Sequence, residues 1–107
     1  MTIKNLLENP NFTSVSVISD REICGCYCGD LLSWVMGRAK CDNAWLTIMS
    51  NINIVAVASL VDISVIVLCE NVDLDENIVK TAENKGVNIV KTGLPIFEAA
   101  VEISRML

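Results

Sequence analysis

From Ile23 to the C-terminus, short apolar runs alternate with helical patterns four times over. Ile23–Cys28 is an extended run, and LLSWVMGRAK after Gly29-Asp30 carries a helical face of Leu31, Leu32, Val35, Met36 and Ala39. AWLTIMS, Ala44 to Ser50, reads as the next strand. NIVAVASLVD, Asn53 to Asp62, reads as a helix by its length and its polar flanks, although its β-branched residues favour a strand. SVIVLC, Ser64 to Cys69, is the continuous apolar run of a strand buried on both faces. A helix is expected from Asp73, with Asp73 and Glu76 forming a capping box and Gly86 as its stop. Val87–Lys91 is the last strand, and Pro95 opens a final helix faced by Ile96, Ala99, Ala100, Ile103 and Leu107. Such alternation predicts an α/β fold: three layers, α/β/α, around a mostly parallel sheet of about five strands. The fifth strand comes from Thr13–Ser19, after a short helix over Thr2–Glu8 that Asn9, Pro10 and Asn11 break.

The chain has 107 residues, enough for a single domain over 1–107. With 52% hydrophobic residues in so small a domain, some apolar surface is expected to be shared with a second subunit. The Asn53–Asp62 helix is apolar nearly all round, so both of its sides are expected to be covered. Trp34 lies opposite the Leu31/Val35 stripe and fits partial exposure at an interface.

The formal net charge is -5 and the basic residues are scattered, which argues against nucleic-acid binding. No apolar run reaches the roughly 18 residues of a membrane span. Met1 opens a polar segment without a signal-peptide core, so the expected location is cytoplasmic. There is no histidine, which removes the commonest general base and the triads built on it. Neither G-x-x-x-x-G-K-[ST] nor G-x-G-x-x-G occurs. An enzyme is therefore not expected, and no cofactor is implied.

Ligands of open α/β sheets sit beyond the carboxyl ends of the strands. That rule selects four loops: Gly29 and Asp30; Ser50, Asn51 and Asn53; Glu70 and Asn71; Thr92 and Gly93. Each leads into a helix, where backbone N–H groups can hold an anion or a carbonyl oxygen. Ser, Thr, Asn and Asp are also the usual helix caps, so Asp30, Asn51, Asn53 and Thr92 fit either role.

Cys24, Cys26 and Cys28 fall at alternate positions. Neighbours two apart on a strand are roughly 6.5–7 Å apart, whereas sulfurs sharing a metal approach to about 4 Å. A straight strand cannot bring all three to one ion, so packing is the first expectation. Metal binding by Cys24, Cys26 and Cys28 is the weaker alternative, and redox chemistry a third.

SDREICGCYCGDLLSWVMGRAK resembles the signature region of the DRTGG domain family at Asp20, Arg21, Gly25, Gly29, Asp30, Leu31, Leu32 and Ser33. WLTIMSNINIVAVASLVDISVIVL resembles that family's next strand–helix–strand, and TGLPIFEAA its closing turn and helix. The chain departs from the pattern at Cys24, where the family has Thr, and at Cys26, where it has a second Gly. The resemblance implies a three-layer domain like the N-terminal domain of HPr kinase/phosphorylase. It also implies a non-catalytic regulatory or ligand-binding module, homodimeric, that senses a nucleotide-type small molecule. Small stand-alone members of the family accompany iron-hydrogenase subunits. They imply the alternative of a redox or metal accessory protein partnering an electron-transfer complex.

Overall fold

The computed structural model describes residues 1–107. Ten elements follow in order: α1 (Ile3–Glu8), β1 (Phe12–Ser16), β2 (Gly25–Cys28), α2 (Leu32–Arg38), β3 (Asn43–Thr47), α3 (Asn53–Val61), β4 (Val65–Leu68), α4 (Glu76–Lys85), β5 (Ile89–Thr92) and α5 (Ile96–Met106). The strands form one sheet in the order β1-β5-β4-β3-β2. β2, β3, β4 and β5 are mutually parallel, and β1 closes the far edge antiparallel to β5.

The parallel strands advance across the sheet in chain order, each step through one helix. Right-handed crossovers taken repeatedly in one direction put every crossover helix on the same face. The core confirms it. Trp45, Ile66, Leu68 and Ile89 pack with Val35 of α2, with Ile54, Val55, Val57 and Ala58 of α3, and with Ile78 and Ala82 of α4. The alternate strand residues Ala44, Leu46, Val65, Val67 and Val90 pack on the other face with Ile3 and Leu6 of α1 and Ala99 and Ile103 of α5. Period-two alternation splits each strand between the two cores. Both faces of β4 are covered, which is why Val65–Leu68 is uniformly apolar.

Three helix starts differ from the sequence expectation. Asp30 does not cap α2; Leu31 takes that position without a side-chain bond. Asp73 does not open α4. Asp75 does, its carboxylate accepting from Asn77 N–H, while Asp73 pairs with Lys91 at 2.7 Å. Neither Asn51 nor Asn53 is the N-cap of α3; Ile52 is, and Asn51 accepts from Asn53 N–H at 2.9 Å in an Asx turn. At the other end of α4, Gly86 adopts φ +70° as a left-handed stop. α3 is covered on one side only within the chain: Leu60 is 74% exposed, and Ala56 and Ser59 also face solvent. Trp34 is half exposed, with the Arg38 guanidinium stacked 3.8 Å from its ring centroid.

Candidate functional site

The topology gathers the four selected loops at one end of the sheet, since all follow parallel strands. Two of them are tied to a neighbouring strand end. Gly29 N–H donates to Leu46 O at 3.1 Å, and the Gly29 carbonyl accepts the buried Trp45 indole N–H at 2.8 Å. Asp30 reaches across to β3, where its Oδ1 accepts from Thr47 Oγ1 at 2.7 Å and from Ile48 N–H at 3.0 Å. Glu70 and Asn71 both take positive φ, which turns their N–H groups onto Leu94 O and Thr92 O at 2.9 Å each. Thr92 Oγ1 accepts from Leu94 N–H. Ser50, Asn53 and the Glu70 carboxylate are exposed.

A ligand crevice in an open α/β sheet forms where the strand order reverses and the crossover helices diverge. These parallel strands never reverse, so the candidate loops lie over the sheet without a cavity. One open groove, of about 280 Å³, runs instead along α5, lined by Leu94, Phe97, Glu98, Val101, Glu102 and Arg105. The candidate loops themselves carry Asp30 and Glu70 and no Lys or Arg. They suit hydrogen bonding to a neutral ligand better than holding an unshielded phosphate.

The cysteines separate. Cys24 precedes β2 and is exposed, Cys26 packs half-buried against the α5-side core, and Cys28 is exposed at the strand end. Cys26 and Cys28 project from the same face of β2, so each thiol acts on the other's ionisation. The neighbouring Cys26 thiol lowers Cys28 to about 7, and the same interaction, with burial, pushes Cys26 well above its ordinary value. Burial raises Cys69, on the same sheet face, to about 12. No group of three His, Cys, Asp or Glu side chains within one chain converges with metal-holding geometry.

One constellation lies outside the sequence reading of the site. At the opposite, amino end of the sheet, Arg21 holds Asp42 at 2.6 Å and Asp62 at 3.0 Å and donates to the carbonyls of Ile63 and Asp62. Asp42 and Asp62 each sit at positive φ, just before β3 and β4. Asp20 accepts from Lys4 N–H at 2.9 Å and so caps the first turn of α1. The visible signal was an Asp at two successive helix–strand junctions, since Asp tolerates the left-handed region. Asp20-Arg21 therefore ties the fold together at the end remote from the candidate loops.

No protein-family model matches the chain, and no curated protein matches it. A solved structure does. It is the crystal structure of the CBS and DRTGG domains of the regulatory region of Clostridium perfringens pyrophosphatase, complexed with its activator diadenosine tetraphosphate. The similarity covers 99% of this chain at TM-score 0.77, with 11% sequence identity. The fold is DRTGG-related. The chain spans about half of that solved region, 47% of its length, and at this identity the likeness concerns the fold. No helix is long and apolar enough to cross a membrane.

Proposed function

We propose that this chain is a non-catalytic regulatory module of the DRTGG family, acting as a cytoplasmic homodimer and sensing a nucleotide-type ligand. The observation that carries the reading is the similarity over 99% of the chain to part of a regulatory region. That region was solved with a dinucleotide activator. The loops at the strand carboxyl ends support the nucleoside half of such a ligand. Ser50, Asn53 and Asn71 offer neutral polar groups, and the exposed Leu31, Ile48 and Ile52 offer apolar surface for a base. Asp30 and Glu70 repel phosphates, so the phosphate chain points away from these loops or meets cations of another chain. Exposed Trp34 and Leu60 supply apolar surface for association.

A thermal-shift series with AMP, ATP and diadenosine tetraphosphate tests the ligand. Binding at 100 times Kd stabilises the folded state by about 2.7 kcal/mol, a shift of roughly 10 °C for a domain of this size. No shift with any of the three removes the nucleotide reading and leaves the regulatory module to a different ligand. Sedimentation as a monomer at high micromolar concentration removes the homodimer.

A second reading rests on the paired thiols of Cys26 and Cys28: a redox or metal accessory protein for an electron-transfer complex. Anaerobic purification with iron, zinc and sulfide analysis decides it. Metal-free protein with unreactive thiols at these positions ends that reading.

A further inference from the structure

The sheet ends at β2, with no strand paired beyond it. Exposed edges are usually blunted by lysine, proline, a bulge or an inward charge. The stretch Ile23–Gly29 contains no charged residue and no proline, and the one register shift in the sheet lies in β1. On a chain of net charge -5, this neutral edge is a place where two copies can approach without opposing charges.

The hydrogen-bonding parity of the edge is set by β3. An edge residue in a parallel ladder turns both of its backbone groups inward or both outward. Cys28 lies opposite Leu46, and it is Gly29 N–H that donates to Leu46 O. The odd-numbered residues thus serve β3, and the N–H and C=O groups of Cys26 and Cys28 point away from it. Cys24 N–H is already engaged by Asp42 O at 2.9 Å.

We infer that β2 pairs edge to edge, antiparallel, with β2 of a second copy about a two-fold axis at Tyr27, joining Cys26 and Cys28 of both chains into one four-thiol site. A closed dimer uses the same surface on both partners, and a two-fold axis across an edge strand makes the pair antiparallel. Centred on Tyr27, the axis sets Cys26 against Cys28 of the second copy in both directions, and every outward N–H and C=O of these residues finds a partner. Centred on Cys26, it would set Cys28 against Cys24, whose N–H is spent. The Tyr27 register also places Gly25 opposite Gly29 of the second copy, so neither residue of that pair brings a Cβ of its own, although the Tyr27 ring lies over Gly29. Opposed residues of a hydrogen-bonded antiparallel pair lie about 5.5 Å apart at Cα, inside the range that a disulfide spans. Cys26 and Cys28 share the α5 side of the sheet, so all four thiols lie on one face. The lowered Cys28 thiol keeps a thiolate available there near neutral pH. The inference rests on the homodimer part of the function proposed above and adds its surface and its site.

The test combines sedimentation of the reduced full chain with oxidation by copper–phenanthroline in air. Each cross-link removes two protons and two electrons from a thiol pair, and dioxygen accepts them through copper. The expected result is a dimer by sedimentation and a covalent dimer on oxidation. Cys26→Ser and Cys28→Ser should each reduce cross-linking at least tenfold, and Cys24→Ser and Cys41→Ser should leave it intact. Cys28→Lys, at an exposed position, should shift the protein to monomer with an unchanged circular dichroism spectrum. A cross-link that survives Cys28→Ser, or that depends on Cys24 or Cys41, overturns the register. A sedimenting dimer that yields no covalent dimer overturns the edge pairing alone. A monomer overturns both the pairing and the homodimer, while the nucleotide reading stands or falls by its thermal shift.

Discussion

At the residue scale, Arg21 shows what the Asp-Arg pair does. Its ion pairs with Asp42 and Asp62 are partly open to water and so contribute modestly. Its bonds to the Ile63 and Asp62 carbonyls matter more, because they satisfy backbone at the junction between α3 and β4. Arg21→Ala should destabilise the chain by roughly 1–3 kcal/mol in urea titration. The Arg21 guanidinium holds the Asp42 carboxyl below its usual value. A depressed carboxylate adds stability above its unfolded pKa, and that contribution fades as pH falls through the folded value. The gap between wild type and Arg21→Ala should therefore narrow below about pH 4. Cys28 offers a second test. With its thiol near 7, its alkylation rate should level off just above neutrality, whereas an ordinary thiol keeps climbing to about pH 8.5. A Cys28 rate still climbing steeply at about pH 8 would refute the lowered thiol.

At the element scale, the helix starts were the hardest part to read. Asp30, Asp73 and Asn53 all precede apolar helical faces and satisfy every local rule for a cap. Tertiary partners outcompeted those local bonds: Thr47 and Ile48 for Asp30, and Lys91 for Asp73. Asp30→Ala should thus weaken the β2–β3 end rather than α2, leaving the buried Thr47 O–H without its acceptor at a cost of about 1–3 kcal/mol. Hydrogen exchange would show it as faster exchange at Ile48, with α2 unaffected. Helix stops were legible, because Gly86 needs φ +70° and little else decides its place. Gly86→Ala should cost about 1–2 kcal/mol, since an L side chain is strained there, although nothing lies within 4 Å of the added Cβ.

At the scale of the whole molecule, the buried thiol of Cys69 reports on cooperativity. Cys24, Cys28 and Cys41 are exposed, and Cys69 is fully buried between β4 and α5. Iodoacetamide should label the exposed three in the native state and reach Cys69 only as fast as the domain unfolds globally. Labelling of Cys69 in native buffer at the rate of Cys24 would show that the α5 face opens locally. The sequence by itself determined the α/β class, the order of strands and helices and their approximate spans, because apolar periodicity is local and core burial enforces it. It also located the nine candidate residues at strand ends, since a loop after a parallel strand has nowhere else to go. Tertiary structure alone decided that β1 is antiparallel and that three helices share one face. It alone decided that Arg21 finds two aspartates 21 and 41 residues away, and that Asp30 turns to β3. Each of these is a partnership between distant segments, decided by which groups the packed fold brings together, and no local pattern encodes that. The same holds for β2: its alternating cysteines are plain in the sequence, but that they lie on the open edge of the sheet follows only from the strand order.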